Sequence, residues 1–289
     1  MSEDEEVDRV EELRMKEMSS KKAPVPVSNY LHMHTIMNQA GFNKEERRRA
    51  VYTPLGPQQH TFVYFKRYQN GFSECYQVIG EDQRPILFCE NQRGCIGCNY
   101  YISLTKEMDK TNPSYLGKLR GNAAGSLYQL FDHGIQPNSD YDRSKFRVSM
   151  GSIEYESNFL GMKGPRKLNA VIPKVQNFED FDMFKFSEEE NLNDFGGSNV
   201  IRLRNKSPRW NERLKSYALN FGGRVKQASI KNFILIDDSF SLEEEDKAQN
   251  LIVFGKIDDS TFALEFAHPL NLFQAFGIAM SEFDFKLKC

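Results

Sequence analysis

The chain carries no excess of charge: 38 Lys and Arg stand against 40 Asp and Glu over 289 residues, a formal balance of −2. A nucleic-acid-binding domain of this size is usually plainly basic, so global charge gives that partner no support. Cysteine is sparse as well. The five residues are odd in number and no apolar leader precedes them, which fits a reducing compartment (cytosol or nucleus) better than a disulfide framework. No stretch approaches the ~20 apolar residues of a membrane-spanning helix, so no transmembrane segment is expected. Also missing are a nucleophile elbow, a Walker loop, a Rossmann glycine pattern and HExxH. The paired acids Asp140 and Asp142 sit in a loop without a histidine or metal set, so neither an enzyme nor a cofactor is expected.

Metal-ligand spacing is equally thin. Cys95-Ile-Gly-Cys98 has a zinc-knuckle spacing but only Cys75 and Cys89 nearby, so free thiols at a turn are expected. The five histidines are scattered, with only the weak His32-x-His34 pair, and no metal site is expected. The single tryptophan, Trp210 beside Pro208 and Asn211, is expected to pack as an anchor.

What is present is a pattern of strands followed by one unusual helix. From Leu272 to Met280 only Gln274 and Gly277 interrupt an apolar run that faces every side of a helical wheel. A surface helix has one apolar stripe, whereas a helix apolar all round must be buried on all sides. Ahead of it lie about a dozen short runs rich in β-branched and aromatic residues: 61–68, 75–79, 85–89, 99–104, 115–120, 127–131, 146–155, 168–172, 199–203, 216–221, 229–236, 251–257 and 261–266. Clusters of Gly, Asn, Asp or Pro separate them, which points to an antiparallel sandwich or barrel. A barrel of ~8 strands is filled by its own side chains, so a barrel that sheathes a helix needs more. The expected fold is mainly β: a closed antiparallel barrel around a central buried helix at about 269–283.

Residues 1–47 read as a charged amino-terminal arm and 48–289 as the barrel domain. Within the arm, a short helix is expected around Val7, Val10 and Leu13, and another through Tyr30–Asn38, before the charged run Lys44–Arg49. The acidic patches Glu179–Asp182, Glu188–Glu190 and Glu243–Asp246 are expected to be solvated loops, and Gly222-Gly223 a tight turn.

Four ordered blocks resemble the tubby-like proteins. Tyr115-Leu-Gly-Lys-Leu-Arg-Gly-Asn122 is close to the family's Y-I-G-K-L-R-S-N. Asn158-Phe-Leu-Gly-Met-Lys-Gly-Pro-Arg-Lys-Leu168, followed by Val171-Ile-Pro173, is close to N-x-L-G-x-K-G-P-R-K-M and its downstream V-I-P. Leu219 to Phe233 follows L-N-F-x-G-R-V-T-Q-A-S-V-K-N-F, and Gln274 to Cys289 resembles Q-A-F-A-I-A-L-S-S-F-D-S-K-L-A-C. The arm lacks the F-box of plant members, and 174–198 aligns with nothing in the family. The resemblance implies a twelve-stranded antiparallel barrel around a central helix, without enzymatic activity.

The resemblance also implies phosphoinositide binding, chiefly of phosphatidylinositol 4,5-bisphosphate, in a cationic pocket outside the barrel. It places Lys118 and Arg120 in that pocket, together with Arg147, ahead of Tyr155-Glu-Ser-Asn158, and Asn99, which opens Asn99-Tyr-Tyr-Ile-Ser103. Lys163, Arg166 and Lys167 are rim candidates in the Gly-Pro loop. The residue chemistry agrees with this assignment. Lys118 and Arg120, two apart in a strand, project to one face while Leu119 points to the other. Arg offers a planar fork to phosphate oxygens and Lys a compact charge. Between Lys118 and Lys167 eight Lys or Arg meet five acids, a local balance of +3 in an overall acidic chain. Such a face suits an anionic leaflet. The expected role is a membrane-tethering adaptor in signalling or trafficking, bound from the cytosolic side of the plasma membrane and open to a protein partner through the arm. The expected location is cytoplasmic and peripheral at the plasma membrane, with the nucleus or the cilium as alternatives. The alternative is a nucleic-acid-binding transcription regulator using the same basic face, which the overall charge and the lack of aromatic–basic interleaving disfavour.

Overall fold

The structure, a computed structural model, describes residues 30–41, 43–71, 73–92, 97–137, 142–156, 167–185, 192–194, 199–212 and 215–284. The helix expected around Val7 and the acidic patch Glu188–Glu190 lie outside the described residues.

Among the described residues, two short helices come first, α1 (Met33–Gln39) and α2 (Lys44–Tyr52). The run Lys44–Arg49, read from sequence only as charged, is thus helical. Asn43 caps it by accepting the Glu45 amide at 2.9 Å, and its acids lie in the first turn and Arg49 in the last, as the helix dipole favours. The strands follow: β1 (His60–Asn70), β2 (Ser73–Ile79), β3 (Pro85–Asn91), β4 (Cys98–Ser103), β5 (Tyr115–Gly121), β6 (Leu127–Asp132), β7 (Ser149–Tyr155), β8 (Leu168–Pro173), β9 (Val200–Asn205), β10 (Arg209–Asn211), β11 (Ser216–Ala218), β12 (Phe233–Asp237), β13 (Ile252–Lys256) and β14 (Thr261–Ala267). The last element is helix α3 (Leu272–Ser281).

Twelve of the strands close a barrel in the order β1-β14-β13-β12-β9-β8-β7-β6-β5-β4-β3-β2. The path is an antiparallel meander, interrupted once by the β10–β11 hairpin, which forms its own two-stranded sheet. Of the run at 216–221 only Ser216–Ala218 is strand, and it is no stave of the barrel. Period-2 alternation sends one set of side chains to the interior and the other to the outer wall.

Helix α3 fills the interior, and all ten of its residues are buried. Burying Leu272, Phe273, Phe276, Ile278 and Met280 contributes on the order of 10 kcal/mol. The polar groups that go inside with it are all paired. Asn271 accepts the Gln274 amide at 2.8 Å, and Gln274 Oε1 accepts the Asn271 amide at 3.2 Å, which closes a capping box. Gln274 Nε2 then donates to the Met150 carbonyl at 3.1 Å, and Asn271 Nδ2 to the Tyr52 carbonyl at 2.8 Å. Gly277 lets the wall come close, since a Cβ there would lie 2.7 Å from both Leu130 methyls. Beyond the helix, Tyr128 donates its hydroxyl to the Asp284 carbonyl at 3.0 Å, and Phe283 stacks on Phe65 at 4.9 Å.

Three sequence expectations are corrected here. Trp210 does not anchor a core: on the edge hairpin it is 48% exposed, and its indole donates to Glu212 at 3.0 Å. Glu245, read as part of a solvated loop, is fully buried, paired with Arg204 and accepting from the Ser207 amide at 3.0 Å. The segment Phe178–Phe184 is a 3-10 helix that buries Phe181 and Phe184, although Glu179 stays outside and pairs with Arg49. Gly222 and Gly223 do form a turn, with φ of 58° and 77°. Cys98 is buried on β4 and not at a turn, and Cys95 lies outside the described residues.

Candidate functional site

Antiparallel pairing assembles a basic face on the outer wall at β4, β5 and β6. Between β4 and β5 the register sets Asn99 opposite Arg120 and Tyr101 opposite Lys118. Between β5 and β6 it sets Arg120 opposite Gln129 and Lys118 opposite Phe131. Two rows of outward side chains result, Tyr101–Lys118–Phe131 and Asn99–Arg120–Gln129. The residues between them in sequence, Tyr100, Leu119 and Leu130, are buried on the interior side. Neighbouring strands lie about 4.8 Å apart and alternate residues about 6.6 Å apart along a strand, so each row neighbours the other at side-chain reach.

The wall is shaped by glycine at one point. Gly117, immediately before Lys118, has a φ of 154°, and a Cβ there would meet the Phe131 carbonyl oxygen at 2.1 Å. No side chain fits, so β5 and β6 approach closely where the first cation is presented.

Arg147 reaches the face from outside the strand rows. It follows the 3-10 turn Arg143–Lys145, and its amide donates to the Ile135 carbonyl at 2.8 Å. Its guanidinium carbon sits 3.8 Å from the centroid of the Phe131 ring, a cation–π contact. Phe131 thus holds Arg147 on one side and neighbours Lys118 on the other. A further cation comes from the loop before β5: Lys110 Nζ lies 4.9 Å from the centroid of Tyr101, which itself packs edge-on to Tyr115 at 5.4 Å. Burial pushes the Tyr115 phenol well above its ordinary value, with Tyr101 and Asp132 adding to the effect and Arg147 opposing it.

Of the residues anticipated from sequence, Asn99, Lys118 and Arg120 are strand neighbours, and Arg147 joins them through Phe131. Arg120 is exposed, while Asn99, Lys118 and Arg147 are half-buried, so a charge that docks there is less screened than in open water. Lys167 stands apart at the start of β8, exposed and 3.4 Å from Glu156, an ion pair of the kind worth little on a surface. Lys163 and Arg166 lie outside the described residues. Lys110, Tyr101 and Phe131 were not singled out from sequence. The i, i+2 spacing of Tyr101 from Asn99 and of Phe131 from Gln129 signalled a shared face, but only the cross-strand register shows that those faces coincide.

Among the described residues, acids stand at the margins of these rows. Glu90 on β3 lies opposite Tyr101. On β7, Glu154 lies opposite Leu127 and accepts from Asn193 Nδ2 at 2.7 Å. Three to four cations interleaved with two aromatic rings and two carboxamides form a surface chemically fitted to a compact polyanion with several phosphate groups. Among the described residues, no helix is long and apolar enough to cross a membrane.

Comparison with known proteins agrees with this architecture. The chain is 37% identical over 200 residues to Tubby-related protein 3 of Mus musculus, a match covering 66% of this chain and 42% of that one. It is 34% identical over 217 residues to Tubby protein homolog 1 of Caenorhabditis elegans, covering 71% and 49%. It is 38% identical over 225 residues to Protein king tubby 2 of Aedes aegypti, covering 74% and 52%. The chain thus spans about half the length of these relatives. The Tub family profile matches residues 52–285, from the last residue of α2 to beyond α3, and the chain belongs to the Tub family.

Proposed function

We propose that the outer face of β4–β6 binds a phosphoinositide head group, chiefly that of phosphatidylinositol 4,5-bisphosphate, and tethers the chain reversibly to the cytosolic leaflet. The observation that carries this reading is the paired register of Asn99–Arg120 and Tyr101–Lys118, with Arg147 stacked on Phe131 beside them. Two strand cations project from one rigid wall, so their spacing is set by the sheet and not by a loop. Lys118 supplies a point charge, Arg120 and Arg147 planar forks, and Asn99 an uncharged donor. The barrel performs no chemistry on the lipid in this reading. Lipid hydrolysis removes the phosphates and releases the protein, and whatever the arm carries moves with it, as in a signalling or trafficking adaptor.

The test is co-sedimentation with vesicles containing individual phosphoinositides, comparing wild type with the double variant Lys118→Ala/Arg120→Ala. Selective binding to 4,5-bisphosphorylated lipid, lost in a variant with an unchanged melting temperature, is the expected result. Wild-type retention by the double variant would overturn the site, and no binding by wild type would overturn the lipid reading.

A further inference from the structure

His32 and His34 flank Met33 where the chain enters α1, and their spacing alone offers a metal only two ligands. The fold supplies a third from the turn between β2 and β3. Glu81 Oε2 lies 2.6 Å from His32 Nδ1 across 49 residues of sequence. The His32 and His34 ring centroids are 5.2 Å apart. One ligand atom from each of His32, His34 and Glu81 can be chosen so that all lie within 4.8 Å of one another. An ordinary His–Glu pair accounts for His32 but not for His34, whose Nδ1 is buried without a hydrogen-bond partner. A buried polar atom in that state costs stability unless something satisfies it.

The backbones that carry the three groups are fixed. Ahead of His32, the Leu31 amide donates to the His60 carbonyl at 2.8 Å, and the His32 carbonyl accepts the Thr35 amide at 2.9 Å. The turn is tied by Gly80 N to Arg84 O at 2.9 Å and by Arg84 N to Asp82 Oδ1 at 3.1 Å. Gly80 leaves room for the histidine, since a Cβ there would lie 2.8 Å from Asp82 Oδ1 and 3.5 Å from His34 Cβ. Tyr30 packs edge-on against the His32 ring at 4.9 Å and limits its rotation.

We propose that His32, His34 and Glu81 form a three-ligand site for a divalent transition metal, zinc above all, with the remaining coordination position open to water. Two imidazoles and one carboxylate match zinc rather than calcium or magnesium, which take oxygen ligands. Ligand atoms around tetrahedral zinc lie about 3.3 Å apart, given bonds of about 2.0–2.1 Å. Closing the set from within 4.8 Å to that spacing calls for small side-chain adjustments on the backbone described above. The His32–Glu81 contact opens slightly as the metal replaces the proton the two now share. The bound ion clips the chain segment that leads into α1 to a hairpin of the barrel wall. The sequence expectation of no metal rested on ligand spacing alone, and Glu81 is invisible to that criterion.

The test uses the full chain stripped by chelator, titrated with Zn2+ by equilibrium dialysis with metal quantification, and with Co2+ by absorption. Wild type is expected to bind one equivalent of zinc and to melt at higher temperature when loaded. His32→Gln, at a half-exposed position that leaves the fold intact, is expected to weaken binding at least about tenfold and to abolish the thermal shift. Glu81→Gln is expected to do the same. Cobalt is expected to give visible bands without a near-ultraviolet thiolate band. Failure of wild type to bind stoichiometrically would overturn the site, as would undiminished binding by His32→Gln or a thiolate band assigning the metal to cysteine.

Discussion

The Arg147 guanidinium carbon lies over the Phe131 ring, 3.8 Å from its centroid, and Phe131 is the strand neighbour of Lys118. One aromatic ring therefore sets the distance between a loop cation and a strand cation. The ring acts as a spacer between two like charges.

Removing that spacer should loosen Arg147 while leaving every cation in place. Phe131→Leu is expected to weaken binding to vesicles containing phosphatidylinositol 4,5-bisphosphate by about fivefold, the equivalent of roughly 1 kcal/mol for a partly desolvated cation–π contact. Vesicle titration of this variant beside wild type checks it. An unchanged affinity would mean that Phe131 does not position Arg147 for ligand.

Gly277 and Leu130 should be coupled energetically. Gly277→Ala drives a Cβ to 2.7 Å from the Leu130 methyls, and overpacking of this kind costs about 1–3 kcal/mol. Leu130→Val alone costs stability through lost volume. The double variant is expected to lose less than the sum of the two, which urea denaturation of all four proteins would measure. Strict additivity would show that the close approach of helix and wall carries no strain when filled.

Asp132 gives stability a pH dependence of defined sign. Burial pushes its carboxyl from 3.8 up to about 6, and the amides of Gly134 and Val148 together with Lys185 and Arg48 offset this only in part. The folded value lies above the unfolded one, so this group's contribution is fully present below about pH 3.8 and is lost as pH rises through about 6. Asp132→Asn keeps an acceptor oxygen for both amides and cannot ionise. Its stability relative to wild type is expected to rise between pH 4 and 8 by up to about 3 kcal/mol. Urea midpoints of both proteins across that range test this, and a difference flat in pH would show that folding leaves the Asp132 carboxyl at its ordinary value.

The architecture was legible because burial leaves a periodic trace. The all-round apolar run at Leu272–Met280 demanded a sleeve, and twelve of the short apolar runs became its staves. Individual residues in the loops were less legible. Glu245 reads as one acid among four in Glu243–Asp246, and nothing local announces that Arg204, 41 residues away, takes it inside. Trp210 reads as an anchor because large aromatics usually bury, yet the edge hairpin leaves it no core to enter. At the site, the family resemblance singled out Lys118 and Arg120, and the i, i+2 rule put them on one face of one strand. Phe131, Tyr101 and Lys110 owe their roles to register and to a loop's return path, which alternation within a strand does not encode.

The helix that occupies the barrel follows in sequence all the strands that enclose it. Its polar tethers reach back across the chain, from Asn271 to Tyr52 over 219 residues and from Gln274 to Met150 over 124. A ribosome that has delivered every stave has still not delivered the filling, and the inward faces of twelve strands have only one another to cover. The core of the barrel is therefore complete only when this ten-residue segment is in place. The inward faces of the strands are thus covered only after the helix has been made, so the contacts that close the core are among the most distant in sequence.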